Sequence, residues 1–156
     1  MALADIAKMD SAPNTYHLGF AMAPRINAGG RIGKSDLGAR LLACADTAEA
    51  QSIAEHLDSL NSERREIEQH VQNAALQQVE SRGFDAPLVW AAGHGWHPGV
   101  VGIVAARIKE ITNRPTVIIG IENGEGKGSG RSVTGIDLGA SVQRLAREGL
   151  LSKGGG

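Results

Sequence analysis

The sequence predicts a small α/β domain preceded by one long helix, and a few stretches carry that reading. An apolar run at Pro87-Leu88-Val89-Trp90-Ala91 is followed by a Gly/His loop and then by a helical pattern opening at Pro98. A second apolar run, Thr116-Val117-Ile118-Ile119, has the composition of a buried strand. Between Thr47 and Gly83 no Pro or Gly interrupts the chain, so a single helix can run through it.

Taken in order, residues 11–35 contain Pro13, Pro24, Gly19, Gly29, Gly30 and Gly33, which predicts loops and turns around short extended pieces. Asp36 is placed to cap a helix through Leu41 and Leu42, and Asp46 or Thr47 to cap the long one. In the long helix Ile53, Leu57, Leu60, Ile67, Val71 and Ala74 alternate at spacings of four and three, with Arg64 interrupting the stripe. Such a narrow stripe packs on the protein's own core or pairs with another copy. Beyond it, the helix from Pro98 carries Val101, Val104, Ile108 and Ile111. Gly126–Ser132 reads as a glycine-rich partner strand or hairpin arm, and Ile136–Glu148 as a last helix capped near Asp137. The order is β-α-β-β-α.

Composition narrows the function. The 156 residues suffice for one medium domain or two small ones. The aromatic residues are few (Tyr16, Phe20, Phe84, Trp90 and Trp96), which argues against a nucleic-acid binder built on stacked rings and leaves phosphate as the main target of any such grip. Net charge is near zero, yet residues 36–82 are acidic on balance while both flanks are slightly basic. Cys44 is the single cysteine, so no intrachain disulfide framework or cysteine-rich zinc site is available, and a cytoplasmic setting is expected. No apolar run is long enough to cross a bilayer, and the amino terminus lacks a secretory pattern. The ending at Gly154-Gly155-Gly156 reads as a cut loop.

Three segments can carry chemistry. Pro24-Arg25-Ile26-Asn27-Ala28-Gly29-Gly30-Arg31 sets two guanidinium groups and an amide around adjacent glycines, suited either to an anion or to salt bridges that brace an interface. Gly93-His94-Gly95-Trp96-His97-Pro98-Gly99 ends where a helix begins, so its N–H groups attract an anion and His97 is a phosphate donor or proton carrier, while His94 is otherwise a plain loop histidine. No carboxylate or cysteine stands nearby at a metal-ligand spacing. Gly126-Lys127-Gly128-Ser129-Gly130-Arg131-Ser132 alternates small residues along a strand, leaving room for Arg131 and two hydroxyls to meet a ligand, or else forms a tight hairpin with solvated Lys127 and Arg131. It is not a P-loop, because Gly128 stands where that motif needs Ser or Thr. The chain offers no Asp/His cluster for two divalent ions and no nucleophile with a base partner.

In order, Leu18-Gly19-Phe20 ahead of Pro24–Arg31, then Gly95-Trp-His-Pro-Gly-Val-Val-Gly102, Gly126–Ser132 and Lys153–Gly156 resemble the successive signatures of RecJ exonucleases in the DHH phosphoesterase superfamily. The resemblance implies a loop-rich carboxy-terminal remnant of a DHH domain over 1–35, a helical linker over 36–82, and a DHH-associated substrate-binding domain over 83–156 that stops inside a Gly-Gly-Gly-His motif. It implies that Arg25, Asn27 and Arg31 face a cleft, and that His97, Lys127, Ser129, Arg131, Ser132, Gly154, Gly155 and Gly156 bind substrate or phosphate. It further implies Mn2+ or Mg2+ held by DHH motifs before residue 1, no metal ligand within the chain, and stepwise 5′-to-3′ degradation of single-stranded DNA in repair and recombination. The fragment alone is then inactive. Two rival expectations are a sister DHH phosphoesterase acting on short oligonucleotides or phosphorylated nucleotides, and a non-enzymatic module that self-associates through the 47–82 helix.

Overall fold

The computed structural model describes residues 2–155, and these divide between Gln69 and His70 into two compact units. In the first unit, α1 (Ala2–Ile6) precedes a π-helical turn (His17–Met22) that runs directly into α2 (Ala23–Ile32), followed by α3 (Leu37–Ala43) and the start of α4 (Thr47–Arg82). Leu37, Ile53 and Leu57 form its core, with Leu41 and Leu60 packed against them.

The loops and turns expected over 11–35 are therefore largely helical, for physical reasons found at Pro24 and Gly29. Pro24 falls at the start of α2, where its fixed φ already suits helical backbone. Gly29 is a spacer and not a turn residue, because a Cβ there would lie 2.9 Å from the Lys34 carbonyl oxygen and 3.3 Å from Leu57. Asp36 does stand at the N-cap position of α3, but its backbone is already helical and its side chain makes no capping bond. Asp46 does cap α4: Oδ1 accepts from the Glu49 N–H at 2.7 Å.

The buried face of α4 also departs from the expected stripe. Ile53, Leu57 and Val71 are buried as expected, but Leu60, Ile67 and Ala74 are only half-buried, while Ala54, Ala75 and Val79 are buried instead. A straight helix drifts relative to a strict heptad, and steps of four from Val71 reach Ala75 and Val79. Arg64 does not interrupt the buried face but lies on it, bonded to Glu68 and to Asn61 Oδ1, all three buried.

The second unit holds a three-stranded sheet in the order β1 (Val89–His94), β2 (Thr116–Glu122), β3 (Glu125–Arg131). β1 and β2 are parallel, and β2 and β3 are antiparallel. The parallel pair requires a crossover, which α5 (Pro98–Thr112) supplies. α5 buries Val100, Val101, Val104, Ala105 and Ile108 alongside the buried Val89 and Ala91 of β1 and Ile118 of β2. Asn123 and Gly124 join β2 to β3 with φ of 50° and 81°, as a tight hairpin with the twist of its strands requires. α6 (Leu138–Arg147) starts at Asp137, whose Oδ1 accepts from the Ala140 N–H at 2.7 Å. The observed order is the β-α-β-β-α expected. No helix among the described residues is long and apolar enough to cross a membrane.

Candidate functional site

Strand parity sorts the candidate residues of β3. Side chains alternate between the faces of a strand, and Thr116, Ile118 and Gly120 of β2, all buried, stand opposite Arg131, Ser129 and Lys127. These three therefore share the α5 face. Val117, Ile119 and Ile121 stand opposite Gly130, Gly128 and Gly126, on the other face.

On the α5 face, Arg131 Nη1 donates to Ser129 Oγ at 3.2 Å and to the Gly130 carbonyl at 2.7 Å. Both side chains reach the helix: a Cβ built on Gly102 would lie 3.0 Å from Ser129 Oγ and 3.1 Å from Arg131 Nη2. Gly102 stands one turn into α5, whose N-cap is His97. His97 Nδ1 accepts from the Gly99 N–H at 3.0 Å. An accepting Nδ1 carries no proton, so in the neutral ring the proton sits on Nε2, which is left as a donor. Lys127 lines a neighbouring hollow of about 300 Å³ together with Trp96, Pro98, Glu122 and Glu125. Trp96 fixes that loop by stacking where side chains on Gly93 and Gly120 would otherwise sit: a Cβ on Gly93 would come within 2.1 Å of its ring. Ser129 and Arg131 thus meet α5 at Gly102, and His97 caps the N-terminus of the same helix.

Ser132 belongs to the opposite face. It lines a groove of about 450 Å³ with Gly154, Gly155 and Lys153, walled by Val117, Ile119 and Leu138. Its hydroxyl donates to the Ile136 carbonyl at 2.6 Å, closing the turn before α6. Gly154 is held close to α6, where a Cβ would lie 2.8 Å from Val142 Cγ1. Gly156 lies outside the described residues. The residues expected to meet one substrate thus line opposite faces of the sheet.

In the first unit, Arg25 is paired: Nε donates to Asp58 Oδ1 at 2.7 Å and Nη1 to the Ala21 carbonyl at 2.6 Å. Asn27 and Arg31 are exposed on α2. Sequence reasoning missed Gly102, although glycine inside a long helix is a signal of close approach. It also missed the Asn61-Arg64-Glu68 cluster, whose residue types signal a solvated face.

The described residues contain no group of three or more His, Cys, Asp or Glu side chains placed to hold a metal ion. This donor set does not fit a divalent cation, so no chemical step is assigned to one within these residues.

A small α/β unit with a helix crossing between parallel strands and an alternating glycine arm defines the class here: residues 85–156 match the DHHA1 domain family. The chain belongs to the RecJ-like members of that class. It is 44% identical over 164 residues to the single-stranded-DNA-specific exonuclease RecJ of Dickeya dadantii, covering 99% of this chain and 28% of that protein. It is 41% identical over 127 residues to the RecJ of Bacillus subtilis, covering 80% of this chain and 16% of that one. A crystal structure of exonuclease RecJ bound to manganese superposes with a TM-score of 0.79 at 34% identity, covering 94% of this chain and 35% of that one. RecJ from Thermus thermophilus in complex with Mg2+ gives a TM-score of 0.78 at 33% identity, covering 94% of this chain and 22% of that chain. The chain thus spans 28% and 16% of the length of the first relatives it matches, well under a third of either.

Proposed function

We propose that this chain is the substrate-gripping part of a metal-dependent 5′-to-3′ single-stranded-DNA exonuclease that serves DNA repair and recombination. The observation that carries the reading is the meeting of Arg131 and Ser129 with α5 at Gly102, on the helix that His97 caps. Phosphate oxygens suit this set: a guanidinium supplies charge in a fixed fork, the hydroxyl and Nε2–H donate, and the helix end favours the anion. Lys127 adds charge along the strand. In this reading residues 1–35 are the tail of a DHH domain, 36–82 a linker and 83–156 the DHH-associated domain. Mn2+ or Mg2+, the ions bound in the solved relatives, is held by residues of the longer protein outside this chain. Bound there, such ions would supply Lewis-acid chemistry toward the phosphodiester. The residues of this chain bind and orient the strand and exclude none of that chemistry. A cytoplasmic setting agrees with the single cysteine, Cys44. The alternative of self-association through α4 has less to work with, since Leu57, Val71, Ala75 and Val79 are buried within a single chain.

The test is fluorescence anisotropy of a labelled single-stranded oligonucleotide titrated with this chain and with Arg131→Ala, at low and moderate salt. Salt-sensitive binding that falls in the variant supports the grip. Absence of binding at low salt, or an unaffected variant, counts against it. Turnover by the longer protein on long strands against dinucleotides separates this reading from a sister phosphoesterase, which favours the short substrates.

A further inference from the structure

We infer that Gly102 is a positioning residue: its missing side chain seats Arg131 and Ser129 against α5 in the orientation that grips phosphate. The inference rests on the phosphate-binding reading above and assigns a role to a helix residue that touches no substrate.

Glycine inside a helix needs a reason, because alanine is more favourable there. Backbone geometry gives none at Gly102, which is absent from the positive-φ glycines of the chain. Space does. A Cβ at this position would meet Ser129 Oγ at 3.0 Å and Arg131 Nη2 at 3.1 Å, both tighter than ordinary van der Waals contact. The nature of those neighbours sets Gly102 apart from other close-packed glycines. At Gly120 a Cβ would run into the Trp96 carbonyl oxygen at 2.1 Å, and at Gly29 into the Lys34 carbonyl oxygen at 2.9 Å, so backbone bars any side chain. At Gly102 the nearest atoms are the polar ends of two side chains that can move. An added methyl group is therefore accommodated by displacing the site and not by breaking the fold.

The displacement falls on a coupled pair. Arg131 Nη1 is held by Ser129 Oγ at 3.2 Å and by the Gly130 carbonyl at 2.7 Å. A few tenths of an ångström at Nη2 and Oγ swings the guanidinium plane relative to His97 and the α5 N-terminus. Bidentate contacts to phosphate oxygens depend on that plane.

The experiment is a double-mutant cycle on the 156-residue chain, using Gly102→Ala, Arg131→Ala and both together. Binding to a short fluorescent single-stranded oligonucleotide is read at low salt, and the urea midpoint is read in parallel. Gly102→Ala is expected to weaken binding about fivefold and Arg131→Ala about tenfold or more, in line with partial and full loss of charged hydrogen bonds. In the Arg131→Ala background, Gly102→Ala is expected to add less than about twofold, the sign of two residues acting as one unit. The urea midpoint of Gly102→Ala stays level or rises.

Normal binding by Gly102→Ala alongside weakened Arg131→Ala overturns the inference and leaves the phosphate reading standing. So does an equal loss in both backgrounds, or a sharply lowered urea midpoint, since each shows an effect through folding. A wild-type chain without salt-sensitive binding, or an Arg131→Ala variant that binds like wild type, overturns the phosphate reading and the role of Gly102 with it.

Discussion

Gln78 and Ala92 exchange two hydrogen bonds, Gln78 Nε2 donating to the Ala92 carbonyl at 2.8 Å and the Ala92 N–H donating to Gln78 Oε1 at 3.2 Å. The pair ties the end of α4 to the open side of β1, an edge strand whose backbone groups otherwise face outward. Arg82 continues the seam, with Nη1 donating to the Trp90 carbonyl at 2.7 Å and its guanidinium carbon 3.9 Å from the Trp90 ring centroid. One amide thus takes up both backbone groups of an edge-strand residue whose register partner on its other side is Ile119 of β2. Gln78→Leu keeps the shape and removes both bonds. It is expected to lower stability by about 1–3 kcal/mol in urea denaturation, because the Ala92 groups are left without their partners. Amide exchange at Ala92 should accelerate in the same variant, and an unchanged rate there would show that the bonds do not protect the edge.

Asp137 and Asp36 make a paired test of helix capping. Asp137 Oδ1 holds the Ala140 N–H at 2.7 Å, whereas Asp36 makes no side-chain capping bond. Asp137→Ala should cost about 1 kcal/mol and Asp36→Ala less than about 0.5 kcal/mol, both read from denaturation midpoints. Equal losses would mean that the two carboxylates act through general charge and not through the cap.

That contrast also marks how far the sequence could be read. The β-α-β-β-α order was legible because Pro98, Gly83 and the apolar runs at 87–91 and 116–119 each announce one element and exclude its rivals. Asp36 and Asp137 look alike as letters, but capping depends on a backbone angle that letters do not carry. Gly29 and Gly30 read as turn residues since conformational freedom is the usual reason for glycine, yet Gly29 serves close packing inside α2. At the site, the alternation of Gly126–Ser132 was visible, and parity alone places Ser132 on the face away from Arg131. What sequence could not supply was the partner surface: Gly102 matters only once α5 is known to lie over β3. Asn123-Gly124 was a readable hairpin signal that the strand assignment did not need.

Lys127 offers a check on how the strand is gripped. It is exposed, next to Trp96 and Pro98 beside the start of α5. A lysine that neutralises a phosphate acts as a point charge without reading bases. Lys127→Ala should weaken binding evenly across oligonucleotide sequences and reduce the salt slope by about 1. Sequence-dependent losses would assign Lys127 to base contacts instead.

The Arg64-Glu68 pair makes the opposite kind of demand. Glu68 is 1% exposed and Arg64 8%, with Asn61 accepting from Arg64 Nη2 at 3.0 Å. Their burial is expensive because both charges have left water, and the pair recovers that cost only as a unit. Glu68→Ala removes the carboxylate facing a buried guanidinium and should destabilise the chain by about 3–5 kcal/mol. Replacing both, Arg64→Met with Glu68→Leu, exchanges the charges for apolar volume and should restore most of that loss. Urea denaturation of the two variants side by side decides the matter. If the double replacement is as unstable as Glu68→Ala, the cluster holds α4 through specific polar geometry that apolar packing cannot replace. Recovery would show that the helix needs the space filled and has no need of the charges.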